Sequence, residues 1–365
     1  MAYSDIKDPS AHFQTKLWTG NASSNEITFD GNSDLQADWI WHKEQNDTNG
    51  WHQTDTSIGI ANYLASESSA AEYGVGSAYV SAIGSNSITY GSGDSSFNSN
   101  SVAQATWAWK ANGGTTASNT TGNGIDSTVQ ANTTAGFSIV TYTGNGTQSG
   151  QTVGHGLGAV PKMIISKDRN ASSNVPNWRV YTVGMGNTKY LTLDTDAAAG
   201  TYNDWDNTTP TSSVYSVGGA GGYTPTNNNN TPYVAYVFAD VQGFSKFGSY
   251  VGNGSGTSDG TFDGAFVYLG FKPAWVLIKR ASYSAGDGWV LFDNERGPIN
   301  YNQNQLNPAS TAAESGAVYD AVDFLSNGFK ARTGRAGVNA SGSTYIYMAF
   351  AENPFVAGGV PTTAR

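Results

Sequence analysis

Aromatic and β-branched residues recur along this chain in short runs that alternate with polar positions, and three of these runs end on lysine. They are Asp38-Trp39-Ile40-Trp41-His42-Lys43, Lys162-Met163-Ile164-Ile165-Ser166-Lys167 and Ala274-Trp275-Val276-Leu277-Ile278-Lys279. Residues two apart lie on one face of a strand. Trp39 with Trp41, Met163 with Ile165 and Trp275 with Leu277 are therefore read as core pairs.

These runs belong to a longer order of landmarks that occurs three times. Each repeat opens on an aromatic strand ending in Gly-Asn: Leu17 to Asn21, Thr141 to Gly146 and Ser249 to Gly254. Asn-Gly beside an aromatic, β-branched run marks a hairpin. The lysine strand follows, then a tryptophan after a polar turn (Trp51, Trp178, Trp289). A small-residue stretch comes next, at Ser69-Ala70-Ala71-Glu72, Asp196-Ala197-Ala198-Ala199 and Thr311-Ala312-Ala313-Glu314, where a short helical turn is expected. An aromatic strand ending at Trp109, Phe238 or Phe350 closes each repeat. Lys43, Lys167 and Lys279 are 124 and 112 residues apart, as are Trp39, Met163 and Trp275.

A period near one hundred residues exceeds that of solenoids and propellers. Short alternating strands with frequent turns predict two-layer β units. The fold expected is all-β, three tandem β-sandwich, jelly-roll-like repeat domains. Repeat one covers 1–111, a linker plus repeat two 112–240, and repeat three with an extended tail 241–365. Ala111 to Gly124 has no apolar bulk and reads as a loose, protease-sensitive joint. Only Asp240 to Gly243 separates repeats two and three, so those two are expected to pack as a pair with repeat one mechanically apart. Trp39, Trp41, Trp51, Trp107 and Trp109 are expected in one core.

Composition agrees with strands. Gly numbers 45 of 365 and charged residues reach only 13%, too few to solubilise a helical bundle. The net charge of −10 argues against a nucleic-acid partner. Its acidity is uneven: from Met1 to Lys110, 12 acids face 4 bases, net −8. With Cys 0 there is no disulfide, thiolate metal site or Cys nucleophile. No run reaches the ~18 apolar residues of a membrane helix, and the opening MAYSDIKDPSAHF lacks the regions of a secretory signal.

The residues that could carry chemistry read as structural. His12, His42, His52 and His155 are scattered; His155 has Val267 at the matching place in repeat three, which favours a turn-capping or packing role. His42 and His52 with Glu44 match no metal-ligand spacing. Asp30-Gly31-Asn32-Ser33-Asp34 starts like a calcium loop but has Leu35 at the sixth position, so a turn is expected. The glycine clusters Gly218 to Gly222 and Gly252 to Gly256 lack a following Lys-Ser/Thr and read as loops. Glu72 and Glu314 are the acids that recur, within the small-residue stretch. Asn21, Asn145 and Asn253 fall in Asn-x-Ser/Thr triplets that this composition supplies by itself. The recurrent Lys43, Lys167 and Lys279 are read as strand-end lysines whose stems cover apolar surface while their heads reach water. No catalytic, cofactor-binding or metal residue is assigned, no cofactor is expected, and ligand-binding residues are left open.

The segments Asp8 to Asn21, Thr133 to Gly146 with Gly154 to Pro161, and Tyr345 to Phe355 resemble the repeat domains of virion structural proteins in tailed bacteriophages, especially marine ones. The resemblance runs over nearly the whole chain, with one departure: Ala22 follows Asn21 where the family has glycine. It implies a non-enzymatic structural protein of the virion surface, a fibre, spike or capsid decoration, made in the host cytoplasm. Its expected partners are other virion proteins and copies of itself, in a homo-oligomer such as the trimers common among phage fibres. Neither nucleic-acid binding nor membrane insertion is expected. The alternatives are a carbohydrate-binding module for host-surface glycans and, ranked lower, a polysaccharide depolymerase.

Overall fold

The three lysine-ending runs become central strands, which explains why they are apolar on both faces. Trp39–Glu44 lies between Ala103–Trp109 and His52–Asp55, with Phe13–Thr19 outside Ala103–Trp109, all antiparallel. The same order recurs as Phe137–Thr143, Pro232–Phe238, Met163–Asp168 and Arg179–Thr182. It recurs again as Ser245–Val251, Thr344–Pro354, Phe271–Arg280 and Trp289–Asp293. In the second unit Ser127–Asn132 and Ala117–Asn119 extend the sheet past Phe137–Thr143, and Lys189–Thr192 with Gly200–Thr201 extend its other edge. The computed structural model describes residues 4, 6–92, 96–171, 176–256, 263–283, 288–315, 320–354, 356–357 and 360–361.

A smaller sheet covers one face of each large one: Asn25–Thr28, Ser87–Tyr90 and Val80–Ile83 in unit one, Gln151–Gly154 and Val214–Val217 in unit two, Phe266–Tyr268, Gly328–Ala331 and Val322–Leu325 in unit three. The architecture is all-β and sandwich-like. Strand alternation then feeds two different cores. Ile40 and Ile164 point into the sandwiches of their own units, where Ile40 joins Ile27, Tyr79 and Ile88, and Ile164 joins Val140, Tyr215 and Val237. Their neighbours Trp39, Trp41, Met163 and Ile165 point the opposite way, into a core shared with Trp275, Leu277 and Phe350 of unit three.

This shared core is aromatic where the three closing strands meet. Trp109 lies 5.6 Å from Phe350 and Phe238 lies 6.0 Å from Phe350, centroid to centroid. Trp39 stacks on Tyr236 at 4.3 Å and Trp109 meets Trp275 edge-on at 5.7 Å. Trp39, Trp41, Trp51, Trp107 and Trp109 are all buried, but in a core built by three units rather than one. The expectation of a mechanically separate first unit is therefore corrected, because its largest apolar face is covered by units two and three.

The expected loose joint is corrected for the same region. Asp38, buried at the start of its strand, accepts hydrogen bonds at Oδ2 from the Ala111 and Gly113 amides (both 2.8 Å) and at Oδ1 from Gly114 (2.7 Å). Gln130 Oε1 accepts from Asn112 at 3.2 Å and from Gly114 at 2.8 Å. Gly113 and Gly114 hold φ of +63° and +77°, a conformation that glycine reaches without steric cost. Ala117–Asn119 is itself a strand. At the second junction the Phe247 amide donates to Asp240 Oδ1 at 3.0 Å.

The small-residue stretches are extended rather than helical. Among the described residues only Pro9–Ala11 and Gly76–Ala78 form helical turns, both 3-10. Beyond Pro354, Val356–Ala357 pairs with Val360–Pro361 in a short antiparallel ladder.

Candidate functional site

The polar chemistry of this protein gathers at the seams between units, and the small-residue stretches account for it. Each stretch runs across the neighbouring unit and donates one backbone hydrogen bond to it: Glu72 N to Arg169 O (2.7 Å), Ala199 N to Ala281 O (2.8 Å) and Glu314 N to Gln45 O (2.6 Å). The acceptor in each case stands two residues after the recurrent lysine. Unit one thus leans on two, two on three, and three on one, which closes a ring. Alanine suits these positions because the backbone must approach a neighbouring strand end.

The recurrent tryptophans bond in the opposite sense around the same ring. Trp178 Nε1 donates to Ala65 O of unit one (2.9 Å), and Trp289 Nε1 to Thr192 O of unit two (2.8 Å). Trp51 Nε1 donates to Asn307 O and Ser310 O of unit three (3.0 and 2.9 Å). The lysines complete the staple. Lys167 Nζ reaches Ser69 O at 3.2 Å and Lys279 Nζ reaches Asp196 O at 2.8 Å, both across a seam, while Lys43 Nζ donates to Glu44 O and Asp47 O (2.7 and 2.8 Å). All three are buried, so the expected solvent-reaching heads are corrected to buried ammonium groups capped by carbonyls. Burial pulls Lys43 and Lys167 down to about 8, against the opposing pull of Glu44, Glu67 and Asp47 on the first and of Asp168 and Asp194 on the second.

Two seams add a buried carboxylate with an arginine. Asp293 Oδ2 accepts from Trp107 Nε1 of unit one at 3.0 Å and from Arg296 Nε at 2.6 Å, and Arg296 Nη1 reaches Glu314 Oε2 at 2.7 Å. At the corresponding place in unit one, Asp55 Oδ2 accepts from the Tyr236 hydroxyl at 2.9 Å. Burial pushes the Asp55 carboxyl up to about 6 against the Ile58 and Ser57 amides, the Tyr236 hydroxyl and the nearby Arg169 charge. Arg169 grips Glu72 with Nε at 2.6 Å and Nη2 at 2.9 Å. The recurrent acids Glu72 and Glu314 are thus held by arginines.

The three Gly-Asn turns are each clasped by a second asparagine. Asn98, Asn227 and Asn339 accept from the backbone amides of Asn21, Asn145 and Asn253 at 3.0, 2.9 and 3.0 Å and return side-chain bonds to the same residues. These clasps were not singled out in the sequence, although Asn98, Asn227 and Asn339 are spaced by 129 and 112, like Trp109, Phe238 and Phe350. Asp38, Asp55 and Asp293 were also missed, because partners of theirs come from other units or from a segment that looked featureless, and Arg296 because acceptors of its side chain lie in loops of its own unit with no repeated pattern.

The histidines do not converge. His42 and His52 are cross-strand partners in an aromatic nest with Tyr79. His42 Nε2 meets Gln104 Oε1 at 2.9 Å, while Gln104 Nε2 donates to Glu44 Oε1 at 2.9 Å, so Glu44 is engaged elsewhere than on a histidine. Burial pulls His42 down to about 3. His155 Nδ1 accepts from the Leu157 amide at 3.2 Å and caps that turn. His12 packs edge-on to Phe244 at 5.7 Å and meets Asn132 at 3.2 Å. Asp30 pairs with Lys16 at 2.6 Å, and Gly31 N donates to Gln14 Oε1 at 2.8 Å, which fixes its loop without an ion. Among the described residues no group of three or more His, Asp or Glu side chains could hold a metal.

A cleft of about 250 Å³ opens where units one and three meet, lined by Asp8, Gln14, Asp30, Glu295, Glu352 and Asn353 among others. Its carboxylates are mostly spoken for: Asp30 by Lys16, and Glu352 by Lys272 at 2.7 Å. Glu295 is raised by partial burial and by the nearby charges of Asp293, Asp30 and Glu352. The cleft gathers four carboxylates, Asp8, Asp30, Glu295 and Glu352, and its Ser10 hydroxyl donates to Asp8 Oδ1 at 2.6 Å.

No curated protein and no solved structure matches this chain. A family model described as Domain of unknown function (DUF7483) matches residues 8–354, through all three units, and the chain belongs to that family.

Proposed function

We propose that this protein is a structural component of a tailed-phage virion surface, a fibre, spike or capsid decoration that works through assembly rather than catalysis. The observation that carries the reading is the seam chemistry. Trp51, Trp178, Trp289, Lys167, Lys279, the Arg169–Glu72 pair and the Trp107–Asp293 bond all cross between units and lock the three into one body, as suits a part that bears load. The sequence resemblance to virion repeat domains supports the same assignment, as does a hydroxyl- and amide-rich composition without cysteine, which tolerates both a reducing cytoplasm and an oxidising exterior. The test is location. Particles purified by density gradient should contain this chain by mass spectrometry and bind its antibody on their surface by electron microscopy. Its absence from particles, with the protein free in the lysate, would overturn the reading.

A further inference from the structure

The small outer sheets of the three units differ in what they turn to solvent. In unit one the exposed side of Asn25–Thr28 carries Glu26 and Thr28, and its neighbour carries Ser87 and Thr89. In unit two the matching pair sets the half-buried Thr152 beside Ser216, which is buried. Neither sheet turns a large exposed apolar side chain to solvent, as expected for a sheet that meets water on one side.

Unit three departs from this. Val267, Phe324, Phe329 and Ala331 fill its core, so the alternate positions face outward. Those positions form two cross-strand rows, Phe266–Lys330–Asp323 and Tyr268–Gly328–Leu325. Phe266 is 47% exposed and Tyr268 52%. At the far edge Asn302 bridges to Val322, and Asn300 clasps the Phe324 backbone at 3.0 and 2.9 Å. That clasp leaves the flanking Ile299 and Tyr301 78% and 48% exposed. Four of the ten large apolar side chains found exposed in the described residues therefore belong to this one sheet and its edge. Monomeric proteins rarely gather exposed apolar side chains in this way unless the face meets a partner.

We infer that a second copy of this chain covers this face, sheet against sheet about a twofold axis. The charge pattern selects the occupant. Lys330 pairs with Asp263, Arg332 lies 3.4 Å from Asp323, and Lys246 lies 5.2 Å over the Tyr268 ring, so three cations and two carboxylates sit among the apolar residues. With the twofold axis passing between Lys330 and Asp323, which are cross-strand neighbours, a half turn sets each opposite the other's counterpart, so unlike charges meet. An acidic or basic partner would meet like charge instead. The aliphatic members Ile299 and Leu325 suit a protein surface better than a sugar, which stacks on aromatic rings. The contact goes beyond the placement of the protein in a particle but rests on the assembly reading for its purpose. A standard interface buries about 800 Å² per partner. Four exposed apolar side chains make a small contact beside that, so the dimer is expected to be concentration-dependent.

The experiment is sedimentation velocity of the full chain from 1 to 500 μM, about the range in which such a contact titrates, alongside Phe266→Ser/Tyr268→Ser and Lys330→Asp. Wild type should shift from monomer to dimer. Each variant should weaken association by tenfold or more while its thermal midpoint stays near wild type, since these side chains are largely outside the core. Mixing Lys330→Asp with Asp323→Lys should restore association that neither shows alone. A chain monomeric throughout, a dimer indifferent to all variants, or a monomer retained on host glycan would each overturn the inference. A failure here leaves the particle-location test untouched, and the chain's absence from particles would not alter the dimer.

Discussion

The seam between units three and one and the seam between units two and three solve the same packing problem with different chemistry. At the first, Asp293 receives the Trp107 indole and the Arg296 guanidinium in a fully buried pocket. At the second, the position corresponding to Asp293 is Thr182, paired with Met163 as Asp293 is with Trp275, and the residue in Trp107's place is Met348. The backbone bond from the small-residue stretch is present at both, from Glu314 and from Ala199. What recurs is therefore the backbone staple and the apolar face. The ion pair is an addition, and a buried carboxylate with its partners removed is costly whereas a hydroxyl is not.

The comparison breaks most visibly at Asp293. Asp293→Ala should cost about 3–5 kcal/mol by leaving Arg296 charged and buried, while Thr182→Val should cost at most about 1 kcal/mol, both by urea denaturation. Equal losses would mean that the charged seam is no more dependent on its ion pair than the apolar one. Trp109→Ala should also cost about 3–5 kcal/mol. Because Trp109 touches Trp275 and Phe350 of unit three, the loss should appear as a lowered midpoint for the whole chain, not for a third of its signal.

Acid should act in opposite directions on unit one's own sandwich and on the seams. His42 is held near 3 when folded, below its ordinary value of 6.5, so the unfolded chain takes up a proton that the folded chain refuses. Stability is full above pH 6.5 and falls as the pH drops towards 3, by on the order of 2 kcal/mol at pH 5. Asp55, raised to about 6, works in the opposite direction from pH 6 downward. Asp204, also raised to about 6, adds to the Asp55 effect, so the measure is a difference: from pH 7.5 to 5 the melting temperature of His42→Gln should gain on that of wild type. A gap between the two that is constant with pH would remove His42 as an acid-sensitive group.

The smallest effect concerns a local difference between equivalent turns. Ala22 holds φ of +52° where Gly146 and Gly254 hold +75° and +72°. The left-handed region disfavours a Cβ, while glycine costs more chain entropy on folding, so Ala22→Gly should stabilise by about 0.5–1 kcal/mol at most. No gain by thermal melting would show that the turn is relaxed around alanine.

The strands were legible because their signal is local: alternation around Trp39, Met163 and Trp275, and turns at the Gly-Asn pairs, depend on neighbours in sequence. The sharing of one core was not. Trp39 and Trp41 announce a buried face without saying whose face covers it, and the indoles of Trp51, Trp178 and Trp289 find their acceptors far along the chain. Ala70, Ala71, Ala312 and Ala313 suggested helix through intrinsic propensity, whereas their small size serves close backbone approach. Ala111 to Gly124 looked loose by composition because the carboxylate that pins it, Asp38, stands some seventy residues earlier. The lysines were found by their spacing but given the wrong surroundings, since a strand end that is exposed in one isolated sandwich is buried once three share a seam.

Scanning calorimetry of the intact chain tests the shared core most directly. Three units around one core should unfold in a single transition whose calorimetric and van't Hoff enthalpies agree. Two or more resolved transitions, with the first unit melting apart from the other two, would contradict it.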